Sequence, residues 1–342
     1  MKYVFFLMFL PGFVFAQDQV ELKVIPKPYN PKPYYDQLNS SGIKKVSIIA
    51  RQKKDHFDND TTYVYEYNQA GQQVSSSRYE HNKEASRTLM KYDQNNNQVQ
   101  WSILEPKETI TTTNFYYDVY NKLDSTRQIS TRQQKTIHTS RYAYQYKNSK
   151  IVARQIFFNS VQNRDDYYQY RDSLLTKFKS IWNPDVYYLS TYHYDTHQQL
   201  TEVYTTHYFG SRSELWNKKN FWYQDGQLTS EEELTYDNKK ILNQYEYYPQ
   251  KKLKKIVSSY LDKKQEIEFD YNEFGVSEIT IKANSNSAYL KFYIPLSLEN
   301  MAFPMLYKET FMYDNKHNLV SKKHYVNDEL IKEVIYQVEY YQ

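Results

Sequence analysis

An aromatic residue, one spacer and a tyrosine, then a short polar run and an aliphatic residue, recur about a dozen times along this 342-residue chain. No other feature restricts its fold as much. Phe311-Met312-Tyr313-Asp314-Asn315-Lys316-His317-Asn318-Leu319 is a complete copy. Residues two apart share one face of an extended strand, so Phe311 and Tyr313 point the same way. Asp314, Asn315 and Asn318 are turn residues, because their short side chains bond nearby backbone and tolerate left-handed conformations. Leu319 then restarts an extended run. The unit reads as a β-hairpin closed by about four or five residues.

The same order appears at Tyr65-Glu66-Tyr67-Asn68 with Val74, Met90-Lys91-Tyr92-Asp93 with Val99, and Phe115-Tyr116-Tyr117-Asp118 with Leu123. Tyr144-Gln145-Tyr146 with Ile151 and Tyr168-Gln169-Tyr170 with Leu174 follow. Further copies are Tyr192-His193-Tyr194-Asp195 with Leu200, Phe221-Trp222-Tyr223 with Leu228, and Leu234-Thr235-Tyr236-Asp237 with Ile241. Tyr245-Glu246-Tyr247 with Leu253 and Phe269-Asp270-Tyr271-Asn272 with Val276 complete the set. Up to Tyr247 the second tyrosines lie 24 to 29 residues apart, which fits two strands and two turns per repeat, and Tyr236 falls near the middle of one interval. Of only six Gly, Gly71, Gly226 and Gly275 follow an anchor tyrosine by three or four residues, where positive φ is often required. Asn318 is expected to be more dispensable than Gly275, since its loop has other routes to the same conformation.

The Tyr-Asp and Tyr-Asn pairs at Tyr67, Tyr92, Tyr117, Tyr194, Tyr236, Tyr271 and Tyr313, each with an aliphatic residue a few positions on, resemble the YD-repeat (RHS-repeat) family of secreted bacterial β-repeat proteins. The resemblance covers roughly residues 61 to 341. It implies an architecture of repeated hairpins and leaves activity open. The glycine-arginine turn common in that family is absent, most turns here using Asn, Lys and Gln. No protease or toxin segment of the kind some large members carry is recognisable. MORN-like repeats are similar in length and turn chemistry but much richer in glycine.

Tyr numbers 39 and Phe 17, yet mean hydropathy is −0.88. Tyrosine reconciles the two, offering an apolar ring for packing and a hydroxyl that can stay wet, which suits half-buried sheet faces. The repeat region is long enough for roughly two dozen strands, whereas open twisted sheets rarely exceed about 10 before curling or splitting. The expected fold is therefore all-β: repeated antiparallel β-hairpins forming a long curled sheet, as a spiral shell, large barrel or solenoid. No stretch holds a helical apolar period for three turns, so no helix of note is expected.

Residues 1–16 read as a signal peptide, with Lys2 before an apolar run and Val14-Phe15-Ala16 as a cleavage site. The run is shorter than the ~20 residues a bilayer-spanning helix needs. There is no Cys, hence no disulfide and no lipid-modified cysteine, which fits a bacterial periplasm, outer surface or exterior. Residues 17–43 carry Pro26, Pro28, Pro31 and Pro33 and read as an extended spacer. The repeat domain is 44–342, interrupted at 283–308 by an irregular, strongly apolar insertion. That insertion reads either as a cap on an exposed sheet end or as a partner-binding loop. Its aromatic residues Tyr289, Phe292, Tyr293 and Phe303, with Trp216 and Trp222, are the candidate ligand- or partner-binding positions.

Little else carries chemistry. His193, His197 and His207 lie close in sequence, but the first two straddle a turn, so no metal site is expected. There is no Gly-x-Ser-x-Gly, phosphate loop or dinucleotide fingerprint, so no catalytic residue and no cofactor are assigned. A net charge of +4 with both signs interspersed does not make a nucleic-acid footprint. Lys, Glu, Gln and Asn on both strand faces argue against a lipid-facing barrel, so no transmembrane segment is expected after leader cleavage. The sequence points to an exported, non-enzymatic repeat protein acting as a binding surface or structural shell for a protein or polysaccharide. The alternative is a carbohydrate-binding or glycoside-hydrolysing protein with its site on the repeat scaffold.

Overall fold

The structure is a computed structural model that describes residues 42–52, 60–80, 83–105, 109–285 and 304–341. These form β1 (Ile43–Gln52), β2 (Asp60–Tyr67), β3 (Gln73–Glu80), β4 (Lys83–Tyr92), β5 (Gln98–Leu104), β6 (Thr109–Tyr117), β7 (Leu123–Arg132) and β8 (Lys135–Lys147). There follow β9 (Lys150–Phe158), β10 (Val161–Arg171), β11 (Leu174–Asn183), β12 (Val186–Tyr194), β13 (Leu200–Phe209), β14 (Arg212–Gln224) and β15 (Gln227–Thr235). The last are β16 (Lys240–Tyr247), β17 (Leu253–Tyr260), β18 (Lys263–Tyr271), β19 (Val276–Ala283), β20 (Met305–Tyr313), β21 (Leu319–Val326) and β22 (Glu329–Tyr340). No helix occurs among the described residues. Each strand pairs antiparallel with its chain neighbours, and β1 pairs with both β2 and β22, so the 22 strands close into one barrel.

Each motif tyrosine except Tyr236 lies at or next to the end of an even-numbered strand, and its aliphatic residue at or next to the start of the following one. The turns between them share one rim, the tyrosine rim. There Asp93, Asp118, Asp195 and Asp314 each accept two backbone N–H bonds through one carboxylate oxygen. The fourth turn residue takes a left-handed conformation, at Asn96, Asn121, Gln198 and His317, as Gly71 does after Asn68. Gly275 has φ 152°, and a Cβ there would lie 3.2 Å from the Tyr313 hydroxyl, so both conformation and space require glycine. Two-residue turns with both central φ positive, at Gln133–Gln134, Asn159–Ser160 and Asn327–Asp328, belong to the opposite rim.

The tyrosine also closes a gap. Two strands joined at the far rim have free ends at the tyrosine rim, and the phenol of the second reaches the first. The hydroxyls of Tyr92, Tyr117, Tyr146, Tyr194, Tyr223, Tyr247, Tyr271 and Tyr313 donate to the carbonyls of Gln73, Gln98, Leu123, Leu175, Leu200, Leu228, Leu253 and Val276, at 2.7–3.0 Å. The copy at Leu234-Thr235-Tyr236 departs from this scheme. It lies at the opposite rim, Tyr236 is 64% exposed, and the Thr235 hydroxyl takes the aspartate's place by accepting the Lys239 N–H.

One face of the sheet is covered. Tyr168, Tyr192, Phe221, Tyr245 and Phe269 pack with Leu175, Leu200, Leu228, Leu253 and Val276 in a continuous cluster below the tyrosine rim. Towards mid-strand this gives way to buried polar side chains, among them Ser140, Asp166, Ser190, Asn243, Gln265, Glu309 and His324. A closed single-layer sheet with no second described layer can cover side chains only where they converge, so this face lines the inside of the ring. The residue between the two motif aromatics points the other way, as exposed Tyr116, Trp222 and Met312 show. That open face carries ion pairs: across strands Lys255 on Glu266, Lys282 on Glu268, Lys308 on Glu278, Lys323 on Glu333 and Lys45 on Glu339, and along β18 Lys264 on Glu266.

Of the segment 283–308, Ala283 closes β19 and Met305–Lys308 open β20. Residues 286–303, with the leader and the spacer as far as residue 41, lie outside the described residues.

Candidate anion-binding groove

The hairpins β6–β7 and β8–β9 bring together residues that the repeat grammar does not single out. On the open face they form a groove of about 620 Å³. Tyr116 from β6, Ser125 and Arg127 from β7, Thr139 and Arg141 from β8 and Phe157 from β9 line it, with Asp124 and Ser160 at its two ends. Register places them. Tyr116 faces Ser125 across β6–β7, Arg127 faces Arg141 across β7–β8, and Arg141 faces Phe157 across β8–β9. The Thr139 end is held by two bonds with Asn159: backbone N–H to the Thr139 carbonyl at 2.8 Å, and its side-chain oxygen accepting the Thr139 N–H at 3.0 Å.

Two arginines directly opposite each other are unusual, because like charges on facing positions of an antiparallel pair destabilise it. A strict two-residue hairpin about Gln133–Gln134 would set Arg127 against Ser140. The register shifts between Ser130 and Thr131, where Ile137 is an extra residue, and Arg141 arrives instead. The described arginine ion pairs are made by Arg78, Arg87, Arg154 and Arg164, not by this pair. Arg141 lies over the Phe157 ring at 5.9 Å from its centroid, and Asp124 is the one carboxylate lining the groove. The result is a cationic centre flanked by hydroxyls and by an aromatic ring on either side.

Two charge clusters on the covered face are matched internally. Fully buried Asp166 accepts from Arg154 at 2.5 and 2.9 Å and from Arg164 at 3.2 Å. Glu309 accepts the Tyr307 hydroxyl at 2.6 Å and the Lys322 ammonium at 2.8 Å, with His324 Nδ1 at 3.2 Å. Burial pushes the Glu309 carboxyl up, but donation from His324 and the charge of Lys322 outweigh it, and the net shift is downward. Burial, with Lys322 and Lys332 nearby, holds His324 below its ordinary value. Among the described residues no three His, Asp or Glu side chains are grouped to hold a metal ion. His193 lies beside Glu202, His197 sits in an exposed turn, and His207 is buried near the far rim.

Of the positions singled out from sequence, Tyr289, Phe292, Tyr293 and Phe303 lie outside the described residues. Trp216, 38% exposed, joins an aromatic cluster at the far rim, stacked on Tyr236 at 5.3 Å and edge-on to His207 at 5.6 Å and Tyr188 at 5.7 Å. Trp222 points to the open face. The two tryptophans thus occupy opposite faces and form no joint platform: six residues apart, they would share a face by plain alternation, but the register shifts between Thr205 and Thr206, where Trp216 is the extra residue. Neither lines the groove. Sequence reading missed Arg127 and Arg141, whose juxtaposition depends on the bulge at Ile137.

No family model matches the chain, and no curated protein matches its sequence. Solved structures give weak likenesses. A chain of the Photorhabdus luminescens Tc holotoxin pore is 12% identical over 85% of this chain and 18% of its own, with a TM-score of 0.35. A TcdB2–TccC3 structure is 12% identical over 80% of this chain and 16% of its own, with a TM-score of 0.32. This chain therefore spans less than a fifth of either. A porin-like protein from Bacteroides uniformis is 10% identical over 87% of this chain and 97% of its own, at a TM-score of 0.28. At these scores none of the three identifies a shared fold.

Proposed function

We propose that this chain is an exported, non-enzymatic β-shell of the YD-repeat kind whose outer wall binds an anionic partner. The observation that carries this reading is the facing pair Arg127 and Arg141 inside a groove. An acidic group between two guanidiniums converts their repulsion into charge-assisted, two-pronged hydrogen bonds. The rows of Lys–Glu pairs on the open face support a wall turned to water, since a lipid-facing barrel presents an apolar band about 25 Å tall. The leader supports export. Glycoside hydrolysis uses two carboxyl groups flanking the scissile bond, whereas Asp124 stands alone in the groove, which supports binding over hydrolysis.

The test is retention of the mature chain on beads carrying an anionic polymer, eluted with a salt gradient. Arg127→Ala together with Arg141→Ala should weaken retention about tenfold or more, while Lys264→Ala with Lys282→Ala, the same charge loss elsewhere on the open face, should change it little. Equal loss in both variants would assign the binding to general surface charge and overturn the groove as its seat.

A further inference from the structure

We infer that the groove takes an acidic sugar chain, one whose rings carry carboxylate or sulfate groups. This rests on the reading of the groove as an anion site and adds the chemical class of the ligand. The argument lies in what surrounds the arginines. Tyr116, Arg127, Arg141 and Phe157 come from four successive strands, so the line from one aromatic to the other spans three inter-strand steps, roughly 14 Å. That is room for more than one ring of a chain laid across the strands. Tyr116 is 48% exposed and can take the C–H face of a ring on its own face, with Phe157 doing so at the far end. Ser125, Thr139 and Ser160 supply hydroxyls that both donate and accept, matching the hydroxyls of a sugar. The guanidiniums supply the planar fork that a carboxylate or sulfate fits, where a neutral sugar would leave two facing charges uncompensated.

An acidic peptide is the competing ligand. Extended peptides are bound most readily by adding a strand to a free sheet edge. Strands β6 to β9 are each paired on both sides, so their backbone is already engaged and a peptide would have only side chains to grip. A sugar chain needs no backbone partner.

The experiment is titration calorimetry of the mature protein with oligogalacturonate, with neutral dextran and with polyglutamate at matched charge. Oligogalacturonate should bind about tenfold or more tighter than polyglutamate, and dextran should not bind measurably. Tyr116→Ala and Phe157→Ala should each weaken oligogalacturonate several-fold and leave polyglutamate unchanged, whereas Arg127→Ala with Arg141→Ala should weaken both. Tyr116→Phe, which keeps the ring, should restore binding, and unchanged circular dichroism would confirm that each variant is folded. If polyglutamate binds as tightly as the sugar and ignores the loss of Tyr116, the sugar class is wrong and the anion site stands. If neither polymer responds to loss of the arginines, the anion site itself is overturned.

Discussion

The second tyrosine of each motif does two things with one side chain: its ring extends the apolar cluster and its hydroxyl ties the rim. Tyr247 packs against the main cluster and donates to the Leu228 carbonyl at 2.7 Å. Burial pushes the phenols of this series up, Tyr194 and Tyr271 to about 12, so they remain donors at any physiological pH. Tyr247→Phe keeps the ring and strands the carbonyl, and should lower stability by roughly 1 kcal/mol in urea unfolding. Tyr116→Phe, exposed on the other face, should change it by less than about half of that. Equal effects would mean that the rim bond contributes nothing beyond a surface hydroxyl. Asn318 shows the limit of residue-by-residue reading. Its loop leaves it 1% exposed, with its N–H on Asp314 and its side-chain amide on the Tyr340 hydroxyl at 2.6 Å, so it ties the turn to the last strand, a contact that no local pattern announces.

At the level of elements, β20, β21 and β22 share the polar network around Glu309. Tyr307 and Glu309 come from the first, Lys322 and His324 from the second, and Lys332 and Tyr336 from the third, the titratable groups that face it among the described residues. Both titrating shifts act in the same direction. Glu309 lies below its unfolded value, so its contribution is present above about pH 4.5 and is lost as pH falls through its folded value near 2. His324 also lies below its unfolded value, so the unfolded chain takes up the proton first and stability begins to fall below about pH 6.5. The melting midpoint should therefore drop from pH 7 to pH 5, and His324→Gln, which does not titrate, should flatten that slope. An unchanged slope would place the acid sensitivity elsewhere. Strand and turn identities here were legible in the sequence, because period-two aromatics and Asp- or Asn-led turns are local signals. The motif at Tyr236 was misread, since a threonine can do the aspartate's work and so moves the turn by two residues. The groove was not legible at all. It depends on one bulge, and a bulge leaves no composition to read while changing which side chains meet.

For the molecule as a whole, the decisive contact joins the first and last described strands, and no local pattern announces it. Ile43 to Gln52 pair along β22 from Tyr340 to Lys332, with one irregularity between Ile43 and Lys45. Tyr341 adds two bonds, its N–H to the Gly42 carbonyl at 2.8 Å and its hydroxyl to the Tyr67 carbonyl. Period and turn chemistry would read the same in an open array, a spiral or a ring, so closure could only be left open from sequence. The three respond differently to loss of an end. In an open array each unit contacts only its neighbours, and removing the last strand removes one interface. In a ring it removes two, β21–β22 and β22–β1, and bares two unpaired edges, which invite association. A chain ending at Asp328 also loses the buried side chains of Val334 and Tyr336, each contributing roughly 1.5–3 kcal/mol, and the partner of Asn318. Such a chain should melt well below the full-length protein and sediment as oligomers. Its amide exchange should quicken in β1 and β2, nearly 300 residues away in sequence, as much as in β21. Exchange that quickens only in β20 and β21, with β1 still protected and the protein monomeric, would mean that the sheet is open in solution.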